Sequence, residues 1–170
     1  MRDYWFTSDT HFGHQNIIKY CNRPFHTYLD MDETLIENWN SVVKKGDYIY
    51  HLGDFFMESP RSEKEQKYND YILSRLNGRI TLILGNHDDP NYLLKTGRFH
   101  DVRLWKPWHD KALLFTHIPI HQDSIQERIV SNGGVNVHGH THNHGSPKGP
   151  YKCVCVELTN YTPINLEELV

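Results

Sequence analysis

The stretch RITLILGNHD, residues 79–88, is a short apolar run that stops at Gly85 and delivers an amide, an imidazole and a carboxylate in succession. A β-rich run of this length closed by a glycine reads as a strand. The same form recurs in YWFTSD (4–9), DYIYHLGD (47–54), ALLFTH (112–117), GVNVHG (134–139) and KCVCVEL (152–158). Helical patterns lie between the early runs. Asp30 with Glu33 three residues on resembles a capping box, and Met31, Leu35, Trp39, Val42 and Val43 follow at helical spacing. Ser59-Pro60 is expected to open a second helix with a stripe through Tyr68, Tyr71, Ile72 and Leu76. Strand, helix, strand, helix, strand predicts parallel pairing through right-handed crossovers. After about Arg98 the runs crowd together, so antiparallel pairing is expected there. The fold class is α/β with mixed sheets, and the absence of repeats or a linker predicts one domain over residues 1–170.

Composition narrows the function classes. The 170 residues carry a formal net charge of −3, which is not the basic footprint of a protein gripping long nucleic acid. No segment has the ~18 apolar residues that crossing a bilayer requires, and the N-terminus shows no secretory h-region. A soluble, cytoplasmic protein with no membrane partner is expected. Asn160-Tyr161-Thr162 matches a glycosylation sequon, which carries no meaning without a secretory signal. Cys21, Cys153 and Cys155 cannot all pair; Cys153 and Cys155 alternate onto one strand face, and buried free thiols in a reducing compartment are expected. Histidine is the anomalous residue, with 13 copies against 18 Lys plus Arg.

The strand endings account for much of that histidine. The runs terminate in Asp9-Thr10-His11, Gly53-Asp54, Gly85-Asn86-His87-Asp88, Thr116-His117 and Gly139-His140-Thr141-His142. In an α/β sheet the carboxyl ends of the strands line one crevice, so polar groups far apart in sequence converge there. A His-rich surface tract that chelates metal indiscriminately is the bland alternative for NVHGHTHNH, residues 136–144. Asp9, His11, Asp54, Asn86, His117, His140 and His142 offer oxygen and nitrogen donors without a thiolate, which suits Mn²⁺, Fe, Zn²⁺, Co²⁺ or Ni²⁺. Seven donors exceed one tetrahedral ion and match two ions sharing a carboxylate, the arrangement that promotes in-line displacement at phosphorus.

This ordered series resembles the motifs of the calcineurin-like metallophosphoesterases. The resemblance implies a sandwich of two mixed β-sheets flanked by helices. It implies a first metal held by Asp9, His11 and His142, a second held by Asn86, His117 and His140, and Asp54 between them. Mn²⁺ is the first expectation for both ions. His87 resembles the family's catalytic histidine, which is not a ligand, and Asn86 with His87 would meet substrate. Within NVHGHTHNH, His140 and His142 are therefore expected to be ligands, His138 a hydrogen-bonded neighbour, and His144 a rim residue.

The implied reaction is hydrolysis of phosphodiester or phosphomonoester bonds in small substrates such as nucleotides or cyclic nucleotides, by in-line attack of a hydroxide bridging the metals. A metal-dependent nuclease and a non-catalytic scaffold on the same fold are the alternatives. One departure stands out: in several family branches an Asp three residues after the bridging one orients the catalytic histidine, and here that position is Met57. The arginine that follows the histidine in protein phosphatases is also missing, and Asp88 is adjacent to His87. His14 is expected either to contact substrate phosphate or to start a helix. Arg23 is expected either to clamp a phosphate oxygen or to fix a loop through a salt bridge. Trp105 and Trp108, near Arg103 and Lys106, form either a base-stacking platform or hairpin packing, and His121 is a candidate support for the ligands.

Overall fold

A computed structural model of the chain describes residues 2–124 and 133–169. The apolar runs become strands, which in chain order are β1 (Tyr4–Thr7), β2 (Tyr48–His51), β3 (Arg79–Ile83), β4 (Asp101–Arg103), β5 (Trp105–Trp108), β6 (Leu113–Thr116), β7 (Val135–His138), β8 (Tyr151–Cys153) and β9 (Ile164–Asn165). They form a five-stranded sheet in the order β4-β3-β2-β1-β9 and a four-stranded sheet in the order β5-β6-β7-β8. Both sheets are mixed: β9 on β1 and β5 on β6 pair antiparallel, and every other pair is parallel. The chain passes between the sheets at Leu104, the single residue separating β4 from β5.

Parallel neighbours need crossovers. Helices α1 (Gln15–Tyr20) and α2 (Tyr28–Val42) join β1 to β2, α3 (Glu63–Arg75) joins β2 to β3, and α4 (Pro90–Lys95) joins β3 to β4. Strand alternation then sorts the core into two layers. Ile49, Ile80 and Leu82 point toward the helices and pack with Met31, Leu35, Ile36, Trp39 and Ile72. Phe6, Tyr50, Leu52 and Ile83 face the second sheet and meet Leu113, Phe115, Val137 and Val154. The expected sandwich of two mixed sheets with flanking helices is the observed architecture.

Two helix starts differ from expectation. The N-cap of α2 is Thr27, whose hydroxyl accepts from the Asp30 amide, so Asp30 sits inside the first turn and bonds back to the Thr27 hydroxyl. The N-cap of α3 is Ser62, which accepts from the Glu65 amide, and Ser59 instead donates its hydroxyl to Asp89 on the next loop. In both cases a hydroxyl three residues before an acidic side chain outcompetes the expected start. The stripe of α3 also turns slightly: Ile72, Leu73 and Leu76 are buried while Tyr71 is 44% exposed. The run KCVCVEL is a strand only as far as Cys153, and Val156–Leu158 forms a 3₁₀ turn. Cys153 and Cys155 do share a face, with sulfurs 3.3 Å apart, and all three cysteines are free and buried.

Candidate metal centre

The carboxyl ends of β1, β2 and β3 in one sheet meet those of β6 and β7 in the other. Three glycines permit that approach. A Cβ on Gly53 would lie 2.5 Å from His117 Nδ1, one on Gly85 would collide with the Asp54 carboxylate, and one on Gly139 with Ser8 and Asp9. The glycines of GD, GNHD and GHTH are thus the contact points at which the donor-bearing turns interlock.

Two donor sets result. Asp9, His11 and His142 each offer an atom within 4.8 Å of the others, and so do Asp54, His117 and His140. Asp54 lies between the sets, its Oδ2 3.6 Å from His11 Nε2 and 3.4 Å from His117 Nε2. Asn86 Oδ1 joins the second set, 3.0 Å from His117 Nε2, and His140 Nδ1 lies 3.2 Å from that same nitrogen. In the first set, Asp9 Oδ1 stands 3.6 Å from His142 Nε2 and 4.0 Å from His11 Nε2. Asp9 Oδ1 and both ring nitrogens of His11 are buried without a hydrogen-bond partner. Buried polar atoms are ordinarily paired, so orphans converging with carboxylates and imidazoles fit cation binding.

The outer ring nitrogens of His117 and His142 are already committed. His117 Nδ1 donates to the Leu52 carbonyl at 2.8 Å, and His142 Nδ1 donates to Glu157 Oε1 at 2.9 Å. Each bond turns Nε2 toward the site, the orientation that outer partners give metal-ligating histidines. Electrostatics agree with the geometry. Burial disfavours charge on His117, but the carboxylates of Asp54 and Asp9 overcome it and push the pKa up to about 9. Burial likewise opposes the Asp54 carboxylate, yet His117, His11 and the His87 amide hold its pKa well below the usual carboxylate range.

The backbone is strained where the donors sit. Asp9, His11, Asp54, His140 and His142 all have φ between 47° and 68°, five of the nine described non-glycine residues in the left-handed region. Each such residue costs roughly 1 kcal/mol or more and clusters at functional sites when surrounding structure imposes it. Support comes from buried groups behind the turns: the Thr10 hydroxyl donates to the Phe55 carbonyl at 2.9 Å and lies 3.0 Å from His51 Nε2.

Comparison with known proteins identifies the family. Residues 4–155 match the model of the calcineurin-like phosphoesterase superfamily domain. The chain belongs to that superfamily. An uncharacterised protein of Methanocaldococcus jannaschii is 38% identical over all of this chain and 90% of its own length. The Gene 66 protein of Mycobacterium phage L5 is 32% identical, over 84% of this chain and 78% of its own. A crystal structure of a protein of unknown function from Aquifex aeolicus aligns with a TM-score of 0.73 at 26% identity, over 99% of this chain and 98% of that one. The Pseudomonas putida nuclease MPE shares the fold at a TM-score of 0.53 and 19% identity, over 83% of this chain and 62% of the nuclease. Membership in the calcineurin-like superfamily supports a metal-dependent hydrolase of phosphoesters that binds divalent ions.

Against the superfamily pattern, all seven expected donors converge, and His87 stands over them with its ring 5.5 Å from that of His11. The residue in place of the missing Asp, Met57, does not hold that ring, and neither does Asp88. The Asp88 carboxylate instead accepts from the amides of Asp54, Phe55 and Gly85 at 2.8–3.0 Å, knotting the second and third turns together. His14 comes within 5.8 Å of the His11 ring, ring to ring, and heads α1 without a side-chain cap bond. Arg23 is not available to substrate. Its guanidinium is buried behind the first donor set, donating to Glu157 at 2.7 and 2.9 Å and to the carbonyls of Asp9 and Thr10. This is the loop-fixing salt bridge rather than the phosphate clamp. His138 is buried and bonded to Gly139 and Ser146, and His144 is exposed, as expected. The side chain of His121 is 77% exposed and meets Asp123, so it supports no ligand.

Sequence reasoning missed Glu157 and His51. Glu157 reads as one more residue of an alternating strand, and only the turn after β8 aims it at His142. His51 precedes Gly53-Asp54 by two residues, but nothing local signals that its ring points back under Thr10.

Proposed function

We propose that the protein is a dinuclear phosphoesterase acting on phosphodiester or phosphomonoester bonds of small substrates such as nucleotides and cyclic nucleotides. The position of Asp54 carries this reading, because one carboxylate oxygen lies within 3.6 Å of donors from both sets. Mn²⁺ is the favoured ion for both, supported by donor sets of carboxylates, imidazoles and an amide. When bound, such ions supply Lewis acidity toward phosphoryl oxygens and lower the pKa of water. Asn86 and His87 form the substrate side of the site. Water adds to phosphorus and gives up a proton to solvent, the ester P–O bond breaks, the departing alkoxide takes a proton from the His87 ring, and the ring regains one from solvent. We assign His14, whose ring lies 5.8 Å from that of His11, a hydrogen bond to a phosphate oxygen.

We assign these roles to a single domain over residues 1–170 with an open site. The unpaired cysteines support a reducing, cytoplasmic setting, and no helix of the described residues is long and apolar enough to cross a membrane. The intact donor sets and His87 argue against a scaffold role. The test is reconstitution of metal-free protein with Mn²⁺, Zn²⁺, Fe²⁺, Co²⁺ or Ni²⁺, assayed on phosphomonoesters, diesters, cyclic nucleotides and plasmid DNA. Hydrolysis of small esters that Asp54→Asn abolishes supports the proposal. Inertness of every loaded form refutes it, and activity confined to the plasmid would make the protein a nuclease.

A further inference from the structure

The hydrolysis just described leaves unused an apolar slot on the Asn86–His117 side of the centre. Gly85, Asn86 and His117 line it, so a cavity of about 550 Å³ opens directly beside the second donor set. Its walls include Leu104, Trp105, Ile118 and Ile120, and none of its described lining side chains bears a carboxylate, ammonium or guanidinium group. Three of the eight large apolar side chains exposed on the described surface ring this one slot: Leu104 at 73%, Trp105 at 52% and Ile118 at 50%. Apolar residues scattered singly on a surface are ordinary, whereas a cluster at the mouth of a polar site marks recognition.

The exposure of Trp105 follows from strand register. In β5, Lys106 lies over the Tyr50 ring at 5.9 Å, and Trp108 packs edge-on against Tyr4 at 4.9 Å, both toward the core. Alternation then puts Trp105 on the opposite face. Its partner across the ladder is Thr116, the residue before His117, so the indole stands one position from a metal donor. Hairpin packing therefore accounts for Trp108 and leaves Trp105 without a structural task.

We infer that this slot holds the nucleobase of a nucleoside phosphoester whose phosphate lies at the metal centre. The inference rests on the phosphoesterase reading and deepens it. The substituent of a phosphate held at Asn86 and His117 has this cavity as its neighbour. A volume of this size suits a small organic ligand. A charged substituent would lose its hydration with no carboxylate, ammonium or guanidinium group in the described wall to offset it. A flat uncharged ring stacks on the indole, and Asn86 and Ser124 offer hydrogen bonds to its edges.

The test is calorimetric binding of thymidine 5′-monophosphate and of methyl phosphate to the Zn²⁺-loaded protein. The two ligands share the phosphate and differ in the nucleoside. Stacking of one base on an aromatic side chain corresponds to roughly 5- to 150-fold in affinity. Thymidine monophosphate is expected to bind tighter by a factor in that range. Trp105→Ala should shrink the factor toward unity, Trp105→Phe should restore most of it, and Leu94→Ala, at an exposed helix position, should leave it in place. A 5′-phosphorylated oligothymidylate identifies the source: affinity equal to the mononucleotide indicates free nucleotides, and a further gain indicates a strand end. Equal binding of the two small ligands by wild type, or an unchanged factor in Trp105→Ala, overturns the base slot alone. Failure of both to bind the loaded protein overturns the phosphoesterase reading with it.

Discussion

Glu157→Gln tests whether the residue behind His142 governs the first donor set. Glu157 Oε1 accepts the His142 Nδ1 proton at 2.9 Å and two Arg23 bonds at 2.7 and 2.9 Å, all in a buried setting. The glutamine keeps the volume and one acceptor oxygen but removes the negative charge. His142 Nε2 becomes a weaker donor, and loss of such an outer partner typically lowers metal affinity ~10–100-fold, about 1.4–2.7 kcal/mol. Arg23 keeps its bonds to the Asp9 and Thr10 carbonyls but loses its counter-ion. Breaking a buried pair costs roughly 3–5 kcal/mol, and the retained carbonyl bonds place this case at the lower end. Calorimetric titration of metal-free protein should show the weaker affinity at one site of two, and urea denaturation in EDTA should show the stability loss separately. An equal loss at both metal sites, or none at either, would refute the assignment of Glu157 to the Asp9–His11–His142 set.

His87→Ala should retain two metals per chain and lose about 10²- to 10⁴-fold in turnover, the usual range for a proton-transfer group; elemental analysis beside steady-state rates checks it, and lost metal would make His87 a ligand. Asp32 concerns stability. Burial raises its pKa to about 7, against bonds from Tyr68 and the Gly13 amide that favour the charged form. With the folded pKa above the unfolded one, the native state retains its proton while the unfolded state loses it between about pH 4 and 7, so stability falls as pH rises through that window and then levels. Asp32→Asn should remove that slope, read as the difference between variant and wild-type denaturation curves in EDTA from pH 4 to 8. Gly139→Ala drives a methyl into Ser8 and Asp9; it should cost roughly 1–3 kcal/mol in urea denaturation and weaken the first metal site.

The layout of the centre was legible because strand ends are local signals with a global consequence. Asp9-x-His11, Gly53-Asp54, GNHD, His117 and GHTH each mark a turn, and the α/β alternation fixes that such turns share an edge. The alternation also gave the parallel half of the first sheet. What stayed hidden depends on competition or on distance. Thr27 and Ser62 displace the expected caps because two plausible capping side chains lie within one turn and only packing chooses between them. Arg23 and Glu157 meet across 134 residues of sequence, so neither predicts its partner. The split at Leu104, which sends β4 and β5 to different sheets, has no compositional mark at all. Trp105 and Trp108 look equivalent in RLWKPW, and only the register separates the half-buried one from the exposed one.

The left-handed ligand turns bear on how variants of this protein should be read. At Asp9, His11, Asp54, His140 and His142 the backbone adopts a shape that asparagine and glycine tolerate and alanine resists. An alanine scan there would superimpose conformational penalty on donor loss and exaggerate the apparent worth of each side chain. Asparagine at the aspartates and glycine at the histidines keep the turn relaxed, so their difference from alanine measures how much of the loss belongs to the backbone dihedrals and how much to the missing donor.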